Sequence, residues 1–314
     1  MVIMKIRLYG TSYLNMYQNK VYIKHLHKAF KKYGVNNPIS RLSNYKYFSI
    51  LEKVERQIAR DFGSEDACIF SSGYIASVCL KNYFVKKAKK NIFYNSSYHP
   101  AWFDNSMKNI NYLNTENKDF IISNSLNSFF GIKENYLEMI DKFEKIAIDV
   151  SHTAYIWNHK NEANNKILFF GSLNKAPAFP AGFIAGSKED IKDIKKFAEY
   201  TTSTPPSIAF AKVFLQMVDI RIRQLEKLKY NMRIVDQAWN INRNDPFPIY
   251  NIGLENKSLY EKFKYKGFEI SYMPYPYIYS KKYLRIILNS GLTFKNLEEL
   301  VQLIISHKLI YCNN

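Results

Sequence analysis

A lysine enclosed by apolar sequence is the side chain here with the most chemistry to offer. Phe169-Phe170-Gly171-Ser172-Leu173-Asn174-Lys175 ends one apolar run, and Ala181 to Gly186 supplies the next. Burying an ammonium costs several kcal/mol unless its pKa falls or the amine becomes a Schiff base, so Lys175 is a candidate nucleophile. Upstream, Lys145 to Val150 (KIAIDV) ends a strand-sized run on Asp149, with Ser151 and His152 next. An acid at the carboxyl end of a parallel strand faces the ligand crevice, where its charge could hold a protonated ring nitrogen. Taken alone, Asp149 fits an N-cap or turn equally well, and His152 fits a structural histidine. Further upstream, Ala67 to Phe70 reads as a buried strand, Ser71-Ser72-Gly73 as a turn and Tyr74 to Lys87 as a helix. Free backbone N–H groups and the positive end of a helix dipole would meet there as an anion cradle. Many strand-to-helix turns share this look. A nucleotide P-loop is excluded, since no G-x-x-x-x-G-K-[ST] occurs.

These residues need a frame. From Cys68 to about Gly186, short β-type runs alternate with helical patterns, which predicts an α/β domain with a largely parallel sheet. Leu51, Val54, Ile58 and Phe62 recur at helical spacing, with Gly63 as a stop. Further strands are expected at 91–94, 119–122, 145–150, 167–170 and 181–185. Beyond Pro205 the texture changes to one long helix, 207 to about 232, then strands near 248–252, 268–272 and 284–288 and a closing helix over 294–305. The expected division is a shortened N-terminal segment (1–33), a large domain (34–206) and a linking helix with a small α+β domain (207–314).

Composition sets the outer limits. With 47% apolar and 23% charged residues, the 314-residue chain is globular rather than disordered. It has neither the roughly 18 uninterrupted apolar residues of a membrane span nor a signal peptide's apolar core, so a cytoplasmic protein without a membrane partner is expected. Cys68, Cys79 and Cys312 suggest neither a disulfide framework nor a metal site. The net charge of +18 would attract nucleic acid, coenzyme phosphates or an acidic carrier protein. Lysine, asparagine, isoleucine and tyrosine also abound as an A+T-rich genome would give without selection for binding.

The order of the three segments carries more than any one of them. Together with Tyr13-Leu14, Ser40-Arg41-Leu42-Ser43, Ile69 to Ala76, Tyr98-His99, Gly182-x-x-Ala185-Gly186-Ser187, Thr201-Thr202-Ser203-x-Pro205-Pro206 and Leu284-Arg285, the chain resembles the α-oxoamine synthases. These are fold-type I pyridoxal-phosphate (PLP) enzymes with an aspartate aminotransferase-like fold, and the biotin-pathway 8-amino-7-oxononanoate synthases are the branch it is most similar to. The resemblance implies that Lys175 forms the internal aldimine with PLP, Asp149 pairs with the pyridinium nitrogen, His152 bonds the phenolic oxygen and His99 stacks on the ring. It implies that Gly73, Tyr74, Ser172 and, from a partner subunit, Thr202 hold the phosphate. Ser128 matches a serine near the cofactor, and Arg285 matches the arginine gripping the substrate carboxylate. The implied reaction is a decarboxylating Claisen condensation, without a metal, of L-alanine with pimeloyl-CoA or pimeloyl-carrier protein, giving 8-amino-7-oxononanoate. The implied assembly is a homodimer, and nucleic acid is not an expected partner.

Departures fall in the substrate region. The family's N-terminal helix, which gives an arginine to the acyl substrate, has no counterpart. Its Ser-Met-Asp-Gly-Asp stretch reads Ser128-Phe129-Phe130-Gly131-Ile132, and the acid before it reads Asn124. Its D-E/D-A-H reads Asp149-Val150-Ser151-His152, and the glycine-rich turn before Ser40 reads Gly34-Val35-Asn36-Asn37-Pro38. A threonine common before the arginine is replaced in the Pro274-Tyr275-Pro276 region. Two alternatives stand beside the biotin-pathway reading. One is a sister synthase using glycine, serine or another acyl thioester; the other is a noncatalytic basic scaffold of the same fold.

Overall fold

A computed structural model describes residues 6–36, 39–43, 46–88, 92–94, 108–109, 119–254, 256–274 and 281–306. The elements in chain order are β1 (Ile6–Leu8), α1 (Lys20–Tyr33), α2 (Phe48–Phe62), β2 (Asp66–Phe70), α3 (Gly73–Lys87), β3 (Ile92–Tyr94), β4 (Lys108–Asn109), β5 (Phe120–Asn124), β6 (Leu126–Asn127), β7 (Ile132–Lys133), β8 (Lys145–Asp149), β9 (Ile167–Ser172) and β10 (Gly182–Gly186). There follow α4 (Lys188–Ile194), α5 (Ala198–Thr201), α6 (Ile208–Gln216), α7 (Val218–Ala238), β11 (Ile249–Leu254), α8 (Lys257–Tyr265), β12 (Phe268–Pro274), β13 (Lys282–Ile287) and α9 (Phe294–Ser306). Among the described residues, no helix is long and apolar enough to cross a membrane.

Two compact units result, one of Asn19–Leu126 and Glu134–Val218, the other of Met1–Gln18, Asn127–Lys133 and Asp219–Asn314. In the larger unit a seven-stranded sheet runs β2-β10-β9-β8-β5-β3-β4. It is parallel from β9 to β4, while β10 lies antiparallel to both β2 and β9. Its central strands are apolar at odd and even positions because both faces are covered. Ala67, Ile69, Ile146, Ile148, Phe169 and Phe183 pack in one layer with Leu51, Val54, Ile58 and Phe62 of α2 and with Ile208, Ala211 and Phe214 of α6. Cys68, Phe70, Ala147, Leu168, Phe170 and Ile184 pack in the opposite layer with α3 and α4. Each such side chain contributes about 1.5–3 kcal/mol by leaving water, which fixes the sheet and hence where its strands end.

The smaller unit holds a four-stranded sheet, β1-β12-β13-β11. Here β1 runs parallel to β12, whereas β13 is antiparallel to both neighbours. Helix α9 covers its own core with Leu297, Leu300, Leu303 and Ile304.

Two spans differ from the sequence reading. The long helix expected over 207–232 is two helices, broken at Met217, whose φ of −104° and ψ of 21° leave the helical region. The segment before it is almost wholly apolar and buried, while α7 alternates charge with core contacts, so the two pack in different surroundings. Second, α1 is not a separate N-terminal piece but packs with α6 in the larger unit. It buries Tyr22 and Ala29, and the Tyr22 hydroxyl donates to the Ala178 carbonyl at 2.6 Å. The observed bounds of the larger unit are therefore 19 and 218, with 127–133 excursing into the smaller one.

Candidate active site

The cradle is built at the start of α3. Ser72, in extended backbone, caps the helix by accepting the Ile75 N–H at 3.2 Å. The N–H groups of Gly73 and Tyr74 in the first turn have no acceptor within the helix. Gly73 is required by close approach: a Cβ there would lie 2.7 Å from Ser172 Cβ and 2.9 Å from its Cα. Gly182 serves the same junction, since a Cβ on it would sit 2.1 Å from the Ser72 carbonyl oxygen. Glycines on β10 and α3 thus let the helix start settle onto the ends of β9 and β10. Tyr74 is exposed and Ser172 half-buried.

Asp149 ends β8, opposite Phe170 on one side and Asn124 on the other. Its Oδ1 accepts the Ser151 N–H at 2.8 Å, and the Ser151 hydroxyl accepts the Ser172 N–H at 2.9 Å. The ends of β8 and β9 are thereby tied by one serine. Nothing in the sequence reading singled out Ser151; its position two residues after a strand-end aspartate was the available signal, because Asp-x-Ser favours such a turn. His152 follows in the same turn, half-buried.

Lys175 stands in the turn between β9 and β10, a turn closed by Leu173 N–H to Ala181 O at 2.8 Å and Phe179 N–H to Leu173 O at 2.9 Å. Burial pulls its pKa down from 10.5 to about 8, with the negative charge of Asp149 opposing the drop. The amine is therefore near half-neutral in mildly basic water and lies within the electrostatic reach of the carboxylate.

Thr202 is exposed just past α5, its hydroxyl donating to the Ala198 carbonyl at 2.7 Å. Ser128 and Arg285 are together in the smaller unit, where Arg285 Nη1 donates to the Ser128 carbonyl at 3.2 Å and the guanidinium lies 5.6 Å from the Phe129 ring centroid. Asn251, across the β11–β13 register from Arg285, anchors the same turn by donating to the Phe129 carbonyl at 3.1 Å. His99 lies outside the described residues, as do Tyr275, Pro276, Asn37 and Pro38.

Comparison with known proteins bears on this arrangement. No protein-family model matches the chain. A candidate 8-amino-7-oxononanoate synthase of Trichodesmium erythraeum (strain IMS101) is 25% identical over 243 residues, 66% of this chain and 61% of that protein. Another, of Methanococcus aeolicus, is 25% identical over 294 residues, 80% of this chain and 75% of that one. The chain thus spans about three fifths of the first relative's length. Among solved structures, serine palmitoyltransferase from S. paucimobilis with a bound PLP–myriocin aldimine superposes with a TM-score of 0.79 at 14% identity, covering 96% of this chain and 87% of that one. The 8-amino-7-oxononanoate synthase of Francisella tularensis gives 0.75 at 19% identity, covering 97% and 98%.

The chain has the fold-type I architecture of these solved structures, and its sequence is similar to proteins named as 8-amino-7-oxononanoate synthases. PLP is the group held in the serine palmitoyltransferase structure, and the residues present here fit it. A phosphate needs N–H donors at a helix start, and Gly73 lets that start lie directly against Ser172, whose hydroxyl is a further donor. An aldehyde needs an amine with a useful neutral fraction near physiological pH, and the lowered pKa of Lys175 provides one. A pyridine nitrogen kept protonated needs a carboxylate, and Asp149 stands at the strand end nearest that amine's field.

Proposed function

We propose that this synthase joins L-alanine to a pimeloyl thioester, on CoA or a carrier protein, with loss of carbon dioxide and of the thiol, giving 8-amino-7-oxononanoate. The observation that carries the reading is the depressed Lys175 amine in the field of Asp149, three residues on from Ser172, against which Gly73 lets the start of α3 pack. The names of the two curated relatives support the substrate pair.

When bound, PLP would supply the electron sink that lets bonds at the amino acid's Cα break heterolytically. Lys175 would hold its aldehyde carbon and, once displaced by the substrate amine, serve as the base that takes the Cα proton. A pKa of about 8 suits both tasks, since a useful fraction is neutral while the protonated form remains a competent acid for returning the proton. Asp149 would keep the ring nitrogen protonated, and the Ser151 N–H on its Oδ1 would hold the carboxylate in one orientation. Gly73, Tyr74 and Ser172 would receive the phosphate, with Thr202 contributed by one protomer of a homodimer to its partner. His152 and His99 would meet the ring's phenolic oxygen and face. Ser128 would lie near the cofactor, and Arg285 would take the substrate carboxylate as a two-pronged donor.

Mixing the purified chain with PLP tests this. A visible absorbance band that survives dialysis and is missing in Lys175→Ala is expected, followed by a product of the mass of 8-amino-7-oxononanoate when alanine and pimeloyl thioester are supplied. A larger spectral response to glycine or serine than to alanine would transfer the chain to a sister activity. A chain that never takes up PLP would be a scaffold.

A further inference from the structure

Behind Asp149 lies a line of buried polar side chains that the proposed chemistry does not use. The Asp149 backbone carbonyl accepts two bonds from Ser125, its N–H at 3.0 Å and its hydroxyl at 2.9 Å. Ser125 Oγ meets Thr153 Oγ1 at 2.7 Å, and Thr153 Oγ1 meets His159 Nε2 at 2.9 Å. His159 Nδ1 lies 2.7 Å from Glu162 Oε2, which also accepts the Tyr136 hydroxyl. Ser125, Thr153 and His159 are each at most 3% exposed, and the imidazole stacks on Phe62 at 5.9 Å.

Proton counting fixes the direction of the line. A hydroxyl has one proton, and that of Ser125 goes to a carbonyl, which can only accept. Thr153 must then donate to Ser125, so it accepts from His159, whose Nε2 carries hydrogen. The other ring nitrogen faces a carboxylate, which selects a hydrogen there too or on Glu162. From His159 Nε2 to the Asp149 carbonyl each group has one assigned role, and a chain of that kind holds its end group in one place.

We propose that His159 and Thr153 are positioning residues for Asp149, acting through Ser125 and through the turn that Thr153 shares with Ser151 and His152. This rests on the PLP reading of the site. Thr153 lies inside the turn, two residues from Ser151 and one from His152, so its hydroxyl clamps a segment that also carries the bonds from Ser151 N–H to Asp149 and from Ser172 N–H to Ser151.

The decisive variant is Thr153→Val, which keeps the shape and removes the hydroxyl; Thr153→Ser is the rescue, and His159→Asn probes the next link. Two quantities are read: hydrogen exchange of the Ser151 amide in the PLP-free chain, and the dissociation constant for PLP by absorbance. Thr153→Val should speed exchange at Ser151 about tenfold and weaken PLP by a similar factor, with Thr153→Ser near wild type on both. A melting temperature that falls while exchange and PLP affinity stay at wild-type values would overturn the proposal, because a merely structural clamp would do that. Failure of the wild-type chain to take up PLP would overturn the functional reading instead, and unchanged exchange at Ser151 would then also remove the clamp.

Discussion

An amine with a pKa of about 8 differs from a surface lysine in what pH does to it. About a tenth is neutral at pH 7 and about nine tenths at pH 9, whereas an ordinary lysine would still be gaining neutral fraction beyond pH 10. Uptake of PLP by the empty protein should accordingly quicken several-fold between pH 7 and 8 and level off above 9, as stopped-flow absorbance would record; a rate still climbing at pH 10 would place the Lys175 ammonium in water. The same shift acts on stability. The folded-state value lies below the unfolded 10.5, so the penalty for burying the charged form is complete below about 8 and is relieved as pH rises toward 10.5. Lys175→Met should stabilise the PLP-free chain by ~1–2 kcal/mol at pH 7, a figure reduced because the side chain keeps some contact with solvent, and the gain should fade by pH 10 in urea titrations. Arg285 answers to a different readout. Because it belongs to the smaller unit, Arg285→Ala should leave PLP uptake intact while raising the amino-acid KM on the order of a hundredfold, the loss of one charge-assisted carboxylate pair of roughly 2–4 kcal/mol. An unchanged KM would remove Arg285 from the substrate.

At the scale of elements, the start of α3 is where local sequence and distant packing meet. A Gly73→Ala change gives the helix a better former, worth up to ~1 kcal/mol, yet drives a Cβ to 2.7 Å from Ser172, and overpacking of that kind costs about 1–3 kcal/mol. The expected result is a PLP dissociation constant at least tenfold higher with little net change in melting temperature, because the helix moves off the strand ends. Wild-type PLP affinity in Gly73→Ala would place the phosphate elsewhere. The turn at 71–73 could be read from the sequence because strand, cap and glycine are neighbours there. Central strands β8 and β9 were equally open to reading, since burial on both faces leaves an unbroken apolar run. What stayed hidden was set by tertiary surroundings. Met217 breaks the helix with no proline or glycine nearby, at the seam where chain passes from a buried, apolar helix to one with a charged face. The tie from Ser151 to Ser172 joins residues 21 apart in sequence, and the line from Glu162 to Ser125 crosses 37 positions; neither spacing has a period that a window could detect.

For the whole molecule, charge is distributed less evenly than composition suggests. Residues 1–51 hold nine lysines and arginines and no aspartate or glutamate, half of the net +18 in about a sixth of the chain. A genome bias acts along the whole chain and would not by itself empty one segment of acids while leaving 27 in the rest, so the asymmetry calls for a cause beyond composition. Part of it lines one stripe of α1, where Lys20, Lys24, His27, Lys28 and Lys31 are exposed at helical spacing with Ile23 among them. Such a stripe raises the local concentration of a polyanionic donor, and at 0.15 M salt the attraction is damped beyond about 8 Å. If the acyl group arrives on CoA or on an acidic carrier protein, its KM should rise several-fold between 50 and 300 mM salt while that of the zwitterionic amino acid hardly moves, roughly as expected when a few ion contacts are screened. Reversing Lys24 and Lys28 to glutamate should flatten that slope without touching PLP affinity, since neither side chain lies at the cradle. Equal salt sensitivity for both substrates would assign the charge to solubility, and tighter binding of duplex DNA than of either donor, abolished by the same two reversals, would assign it to nucleic acid.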